Sequence, residues 1–168
     1  MAQMDETDRR ILRILQKKGR ISNADLAVEA NVSSSACHRR VQRLEADGII
    51  RDYVALLNPV HVDRRSTLFV EVTLTSQADE VLAAFEKAVQ TVPDVLECHL
   101  MAGAADYMLK VVAADTDHFA EIHRNLVRLP GVVKMQSSFA MRTVFKTTSL
   151  PVCSSARCKT RGKVLTST

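Results

Sequence analysis

Apolar residues recur at helical spacing three times within the first 48 positions, and the pattern then changes to alternation. In DETDRRILRILQKKGR, Ile11, Leu12, Ile14 and Leu15 share one face. Acids fill the first turn, Lys17 and Lys18 the last, and Gly19 stops the helix, an order that suits the helix dipole. Ser22-Asn23-Ala24-Asp25 has the S-x-x-D form of a capped helix start and predicts a short helix over 22–30. Ser33 is a natural N-cap for a third helix that runs to Asp47 and ends at Gly48. Three helices joined by very short turns predict a helix-turn-helix unit.

Beyond Gly48, the stretch IIRDYVALL (49–57) is β-prone and is closed by Asn58-Pro59, which predicts a strand serving as wing or hinge. The remaining pattern reads strand 67–75, helix 78–92, strand 95–101, strand 107–114, helix 117–129 and strand 132–145. This βαββαβ order predicts a ferredoxin-like sandwich. The fold class is therefore α+β. A winged helix-turn-helix domain is placed at 1–58, a ferredoxin-like domain at 59–151, and a basic, disordered tail at 152–168. In the first strand Leu68, Val70, Val72 and Leu74 suit a helix-covered face, whereas Phe69, Glu71 and Thr73 make the other face mixed. An open sheet of this kind predicts self-association, at least to a homodimer.

Composition excludes some classes and leaves others open. With 46% apolar and 25% charged residues, the 168-residue chain suits a soluble globular protein. It has no run of about 18 apolar residues, and MAQMDETDRR stands where a signal peptide would be apolar, so a cytoplasmic, membrane-free location is expected. The four cysteines include no C-x-x-C, so neither a zinc site nor a disulfide framework nor any other cofactor is expected. The net charge of +4 is less informative than it looks. Residues 1–58 carry ten basic and eight acidic side chains, 59–151 nine and eleven, and 152–168 four and none. The tail alone equals the excess, so nucleic-acid binding must be argued from local placement.

The third helix concentrates the relevant side chains on one face. At about 100° per residue, Cys37, Val41 and Leu44 form one stripe, flanked by Ala36 and Arg40. Ser35, His38, Arg39, Gln42, Arg43 and Ala46 lie opposite. A solvated basic face is the plain alternative. Against it stand the helix's second place in a tight helix-turn-helix, the small hydroxyls of its first turn, and exposed donors that are Arg, Gln and His rather than Lys/Glu pairs. Arginine can bind guanine O6/N7 and glutamine adenine N6/N7, each worth about 1–3 kcal/mol of discrimination. Ser34 and Ser35 are therefore assigned to phosphates or the groove edge. His38, Arg39, Gln42 and Arg43 are assigned to bases or flanking phosphates of double-stranded DNA.

The segments ISNADLAVEANVSSSACHRRVQRLEADGIIRDYVALLNP and ECHLMAGAADYMLK, with RLPGV before the last strand, resemble the leucine-responsive regulatory protein and asparagine-regulator (Lrp/AsnC) family of prokaryotic transcription factors. The resemblance spans residues 4 to about 151. It implies a DNA-binding regulator that forms dimers and higher homo-oligomers such as octamers, with an amino-acid effector bound between C-terminal domains. Gly103-Ala104-Ala105-Asp106-Tyr107 matches the family's G-x-x-D-Y effector loop. By that match the effector residues are Met101, Gly103, Asp106, Tyr107, Gln136, Ser137 and Ser138. Asp106 is assigned to the ammonium group and the turn's N–H groups to the carboxylate. Met135 stands where relatives often carry a hydroxyl, which leaves leucine, methionine and cysteine all admissible. The architecture also resembles haem-pathway decarboxylases. However, His99, His118 and His123 do not converge, no G-x-S-x-G, P-loop or H-E-x-x-H occurs, and no enzymatic activity is expected.

Overall fold

The computed structural model describes residues 4–152, so the assignments made for 153–168 lie outside the described residues. Three helices open the chain: α1 (Glu6–Leu15), α2 (Asn23–Ala30) and α3 (Ser34–Ala46). Each starts on a side-chain cap, with Asp5, Ser22 and Ser33 accepting from backbone N–H groups three residues on. Asn31, in the left-handed region at φ 55°, turns the chain between α2 and α3 in three residues. Ile11, Leu12, Leu26, Ala27, Ala30, Cys37 and Leu44 form the first core.

Next come a 3₁₀ turn (Pro59–Val62), β1 (Ser66–Leu74), α4 (Asp79–Val89), β2 (Val95–Leu100), β3 (Tyr107–Ala113), α5 (Thr116–Val127) and β4 (Val132–Phe139). The sheet order is β2-β3-β1-β4, and every neighbouring pair is antiparallel. This is the α+β, ferredoxin-like arrangement that the alternation predicts. Leu68, Val70, Val72, Tyr107, Leu109 and Val111 pack with Phe85 and Val89 of α4 and Ile122 and Leu126 of α5. The opposite sheet face carries Phe69, Glu71, Lys110, Gln136 and Ser138, aligned by the pairing of Phe69 with Lys110 and Ser138 and of Glu71 with Gln136.

The chain divides into two compact units, one running to Ala55 and resuming at Phe145, the other spanning Leu56–Val144. In the first, Gln16 holds both backbone groups of Leu150: its amide donates to the carbonyl at 3.1 Å and accepts from the N–H at 2.6 Å. Val152 packs against the first core. The sequence pattern, which placed the boundaries at 58/59 and 151/152, carries no sign of this return.

Two strand assignments are corrected. Residues 49–58 form no strand. Alternation marks a segment able to pair, but a ladder also needs a partner, and Val54, Leu56 and Leu57 stay at least 70% exposed. The last strand ends at Phe139 rather than 145, because Phe139 pairs with Leu68, the N–H of Ala140 reaches Thr67, and β1 begins at Ser66.

Gly131 sits at φ 76° between α5 and β4, and a Cβ there would come within 2.8 Å of Val81 Cγ1. Gly48, which ends α3 at φ 69°, has open space around it. Gly131→Ala is expected to lower stability by about 2–3 kcal/mol, from left-handed strain plus the clash, and Gly48→Ala by about 1 kcal/mol. Urea unfolding of both variants checks the difference.

Candidate functional site

Ser34, Ser35, His38, Arg39, Gln42 and Arg43 are all exposed, while Cys37 and Leu44 are fully buried on the other side of α3. The structure thus places the six predicted DNA-facing residues on the solvent side, but it does not leave them equivalent. Asn23 of α2 donates to both the hydroxyl and the carbonyl of Ser34, at 2.9 and 3.1 Å, which ties the start of α3 to α2. Ser35 Oγ lies 3.4 Å from Ser33 Oγ. At the far end, Tyr53 donates its hydroxyl to Glu45 at 2.9 Å, and burial beside that carboxylate pushes the phenol up to about 12.

Arg43 departs most from the simple picture. Its Nη2 donates to Oδ2 of Asp8 at 2.6 Å, and Arg40 Nη1 donates to Oδ1 of Asp8 and Oδ2 of Asp5, both at 2.7 Å. Asp8 is completely buried and also closes the capping box of α1, taking the N–H of Asp5 at 3.0 Å. Hydrogen bonds donated to Asp8 and Asp5 hold the Arg40 guanidinium above its ordinary range, and the Asp8 N–H together with Arg40 lowers the Asp5 carboxyl. Arg40 and Arg43 are three apart on α3, as are Asp5 and Asp8 on α1, so two adjacent turns of one helix meet two of the other. Among the described residues, Ser35, Arg39 and Gln42 form an outward row without an ion pair to α1, with His38 beside it.

In the second unit, Met101 donates its N–H to the carbonyl of Asp106 at 2.8 Å and closes the loop between β2 and β3. Met101 and Gly103 are exposed, so the tip of the loop faces solvent. Asp106 does not. Its Oδ2 takes the Leu74 N–H and its Oδ1 the Gln77 amide, each at 2.7 Å, and these bonds lower its pKa. Tyr107 is 1% exposed, packs its ring against Phe85 with centroids 4.7 Å apart and planes tilted by 41°, and donates its hydroxyl to Glu86 at 2.8 Å. Burial there and the Glu86 carboxylate push the phenol up. Asp106 and Tyr107 therefore brace the fold beneath the loop, and both carboxylate oxygens of Asp106, assigned to an effector ammonium group, already accept hydrogen bonds from within the chain. Gln136, Ser137 and Ser138 lie on β4, three strands from β2, and within one chain they are roughly 14 Å across the sheet from it. At the loop's other end Tyr107 pairs with Val72 and Val72 with Met135, so β4 lies two strands, roughly 10 Å, from the start of β3.

Among the described residues, no His, Cys, Asp or Glu cluster could hold a metal ion, and no helix is long and apolar enough to cross a membrane.

Comparisons with known proteins cover both units. Residues 4–51 match a winged helix-turn-helix DNA-binding model and residues 67–150 the Lrp/AsnC ligand binding domain. The Leucine-responsive regulatory protein of Escherichia coli K12 is 40% identical over 150 residues, covering 89% of this chain and 92% of that one. A solved AsnC family transcriptional regulator from Agrobacterium tumefaciens superposes with a TM-score of 0.86 at 39% identity, covering 89% of this chain and 97% of the other. A Neisseria meningitidis transcriptional regulator in complex with L-Met gives 0.85 at 36% identity and the same coverage.

A carboxylate with a lowered pKa stabilises the fold fully above the ordinary carboxylate range near 4, and that contribution is lost as pH falls through the folded value. Asp106→Asn places an amide against two donors, and is expected to destabilise the second unit by about 2–3 kcal/mol at neutral pH. It should also flatten the acid limb of a pH–stability profile followed by circular dichroism.

Proposed function

The chain belongs to the Lrp/AsnC family of DNA-binding transcriptional regulators, and on that premise we propose that α3 reads a DNA operator while the second unit adjusts that reading to a bound amino acid. The protein carries the family's helix-turn-helix and ligand-binding domains and is a regulator, not an enzyme. The observation that carries the reading is the outward row on α3. Ser35, Arg39 and Gln42 are exposed on the helix that follows a three-residue turn, and Cys37 and Leu44 seat the same helix in the core. Arg39 and Gln42 supply bidentate donors for base edges, His38 and Arg43 serve flanking phosphates, and Ser34 and Ser35 allow close approach to the backbone.

The effector takes the N–H groups of the loop 102–105 for its carboxylate. A second copy supplies the wall that one chain leaves roughly 14 Å away on β4, at Gln136, Ser137 and Ser138. This makes dimers, and assemblies of dimers up to an octamer, part of the function, and covering the open sheet face favours association. Two copies of α3 set about 34–36 Å apart would read half-sites one DNA turn apart. Leucine, methionine and cysteine are the candidate effectors, and the L-Met complex of the Neisseria regulator favours methionine. The working compartment is the cytoplasm, where DNA and free amino acids meet.

Arg39→Ala is expected to weaken operator binding about 5- to 150-fold with an unchanged far-ultraviolet spectrum, the range of one lost bidentate base contact. Anisotropy titration with the DNA upstream of the protein's own gene checks it, and unchanged affinity would remove α3 as the reader. Isothermal titration with all twenty amino acids should give heat with at least one of leucine, methionine and cysteine. Heat from none would sink the effector assignment.

A further inference from the structure

Helix capping alone does not account for Asp8. At the third position of α1 a carboxylate closes a capping box from the surface, with one oxygen on the backbone and the rest in water. Here the carboxylate is fully buried, and three donors converge on its two oxygens: the N–H of Asp5, Arg40 Nη1 and Arg43 Nη2. A buried carboxylate needs donors on its oxygens, and here two of them are compensating guanidinium groups. The compensating groups both come from α3, and one of them, Arg43, keeps a side chain 48% exposed on the DNA-facing helix. Arg40 is further drawn in by Asp5.

We propose that Asp8 is a positioning residue for DNA selectivity: by holding Arg40 and Arg43 on the flank that faces α1, it withdraws their charge from indiscriminate phosphate contact. Selection is then left to the outward row of Ser35, Arg39 and Gln42. A free arginine on a recognition helix binds any phosphate within reach, and such contacts strengthen binding to every sequence equally. An arginine already neutralised by a buried acid adds little to that background. With its side chain fixed in one rotamer, Arg43 meets a flanking phosphate only where the helix is already seated in register. The two short hydrogen bonds from α3 to Asp8 thus trade non-specific affinity for selectivity.

The inference rests on α3 being the reader, and Arg39→Gln separates the two ideas. If Arg39→Gln leaves operator affinity and its salt dependence unchanged, the reader assignment itself fails. If Arg39→Gln weakens operator binding, Asp8→Asn in the full-length protein tests the inference. Asparagine keeps an acceptor for the Asp5 N–H but releases the charge of Arg43, whereas Arg40 keeps its ion pair with Asp5. On random-sequence duplex, the slope of log affinity against log salt should steepen by about 0.9 for each arginine that finds a phosphate, about 3-fold more affinity lost between 50 and 200 mM salt. The ratio of operator to random-duplex affinity should fall by a similar factor. A merely structural role would instead lower affinity for both duplexes with no steeper slope, and that result overturns the proposal. If Asp8→Asn does not fold, Arg43→Gln decides, because glutamine can still donate to Asp8. The proposal requires Arg43→Gln to reduce the salt slope further on operator than on random duplex, because Arg43 meets a phosphate only where the helix is in register. An equal fall on both duplexes contradicts it.

Discussion

Burying the Asp8 carboxylate in the first turn of α1 requires donors on its oxygens, and the two guanidinium groups that stand over it both come from α3. That requirement sets which turn of α3 lies against which turn of α1. With Cys37 and Leu44 in the core, it also fixes the rotation of α3 and so the side chains that face outward. The Asn23 amide on Ser34 fixes the start of the same helix against α2. A DNA-reading helix must present its donors in register with base edges, and here both ends and one flank are held by polar ties rather than by packing alone.

The second unit uses a buried acid in the same way. Asp106 takes the backbone of Leu74 at the end of β1 and the amide of Gln77 in the segment that follows, so the loop joining β2 to β3 rests on a fixed base while its tip stays open. Tyr107 adds a packed ring and a bond to Glu86 beneath it. Rigid support under an exposed turn is what binding a small zwitterion through backbone N–H groups requires. None of the described helices lies over the sheet face bearing Phe69 and Glu71, and the proposed pocket is divided between the β2–β3 loop and the edge strand β4. Both features make association of copies part of the functional account.

Much of this architecture was legible in the residues. The spacing of Ile11, Leu12, Ile14 and Leu15, the caps at Ser22 and Ser33, and the alternation from Leu68 to Leu74 each reflect a local rule, and local rules survive folding. What stayed hidden depends on partners distant in sequence. Residues 49–58 have strand composition, but a single chain provides no ladder for them. Arg43 looks like a free cation until α1 is laid across α3. The one available signal, acids at 5 and 8 against arginines at 40 and 43, does not say which helices meet. The G-x-x-D-Y match located the loop but concealed that Asp106 is spent on Leu74 and Gln77.

Ligand binding and DNA binding in such a protein share one coupling free energy, so each must change the other by the same factor. The most direct measurement is operator affinity of the full-length protein at fixed salt, with and without a saturating amino acid that binds the second unit. The account predicts a shift of about 5-fold or more, with an equal reciprocal shift in amino-acid affinity when operator is present. Identical operator affinity in both conditions, with the amino acid demonstrably bound, would contradict it.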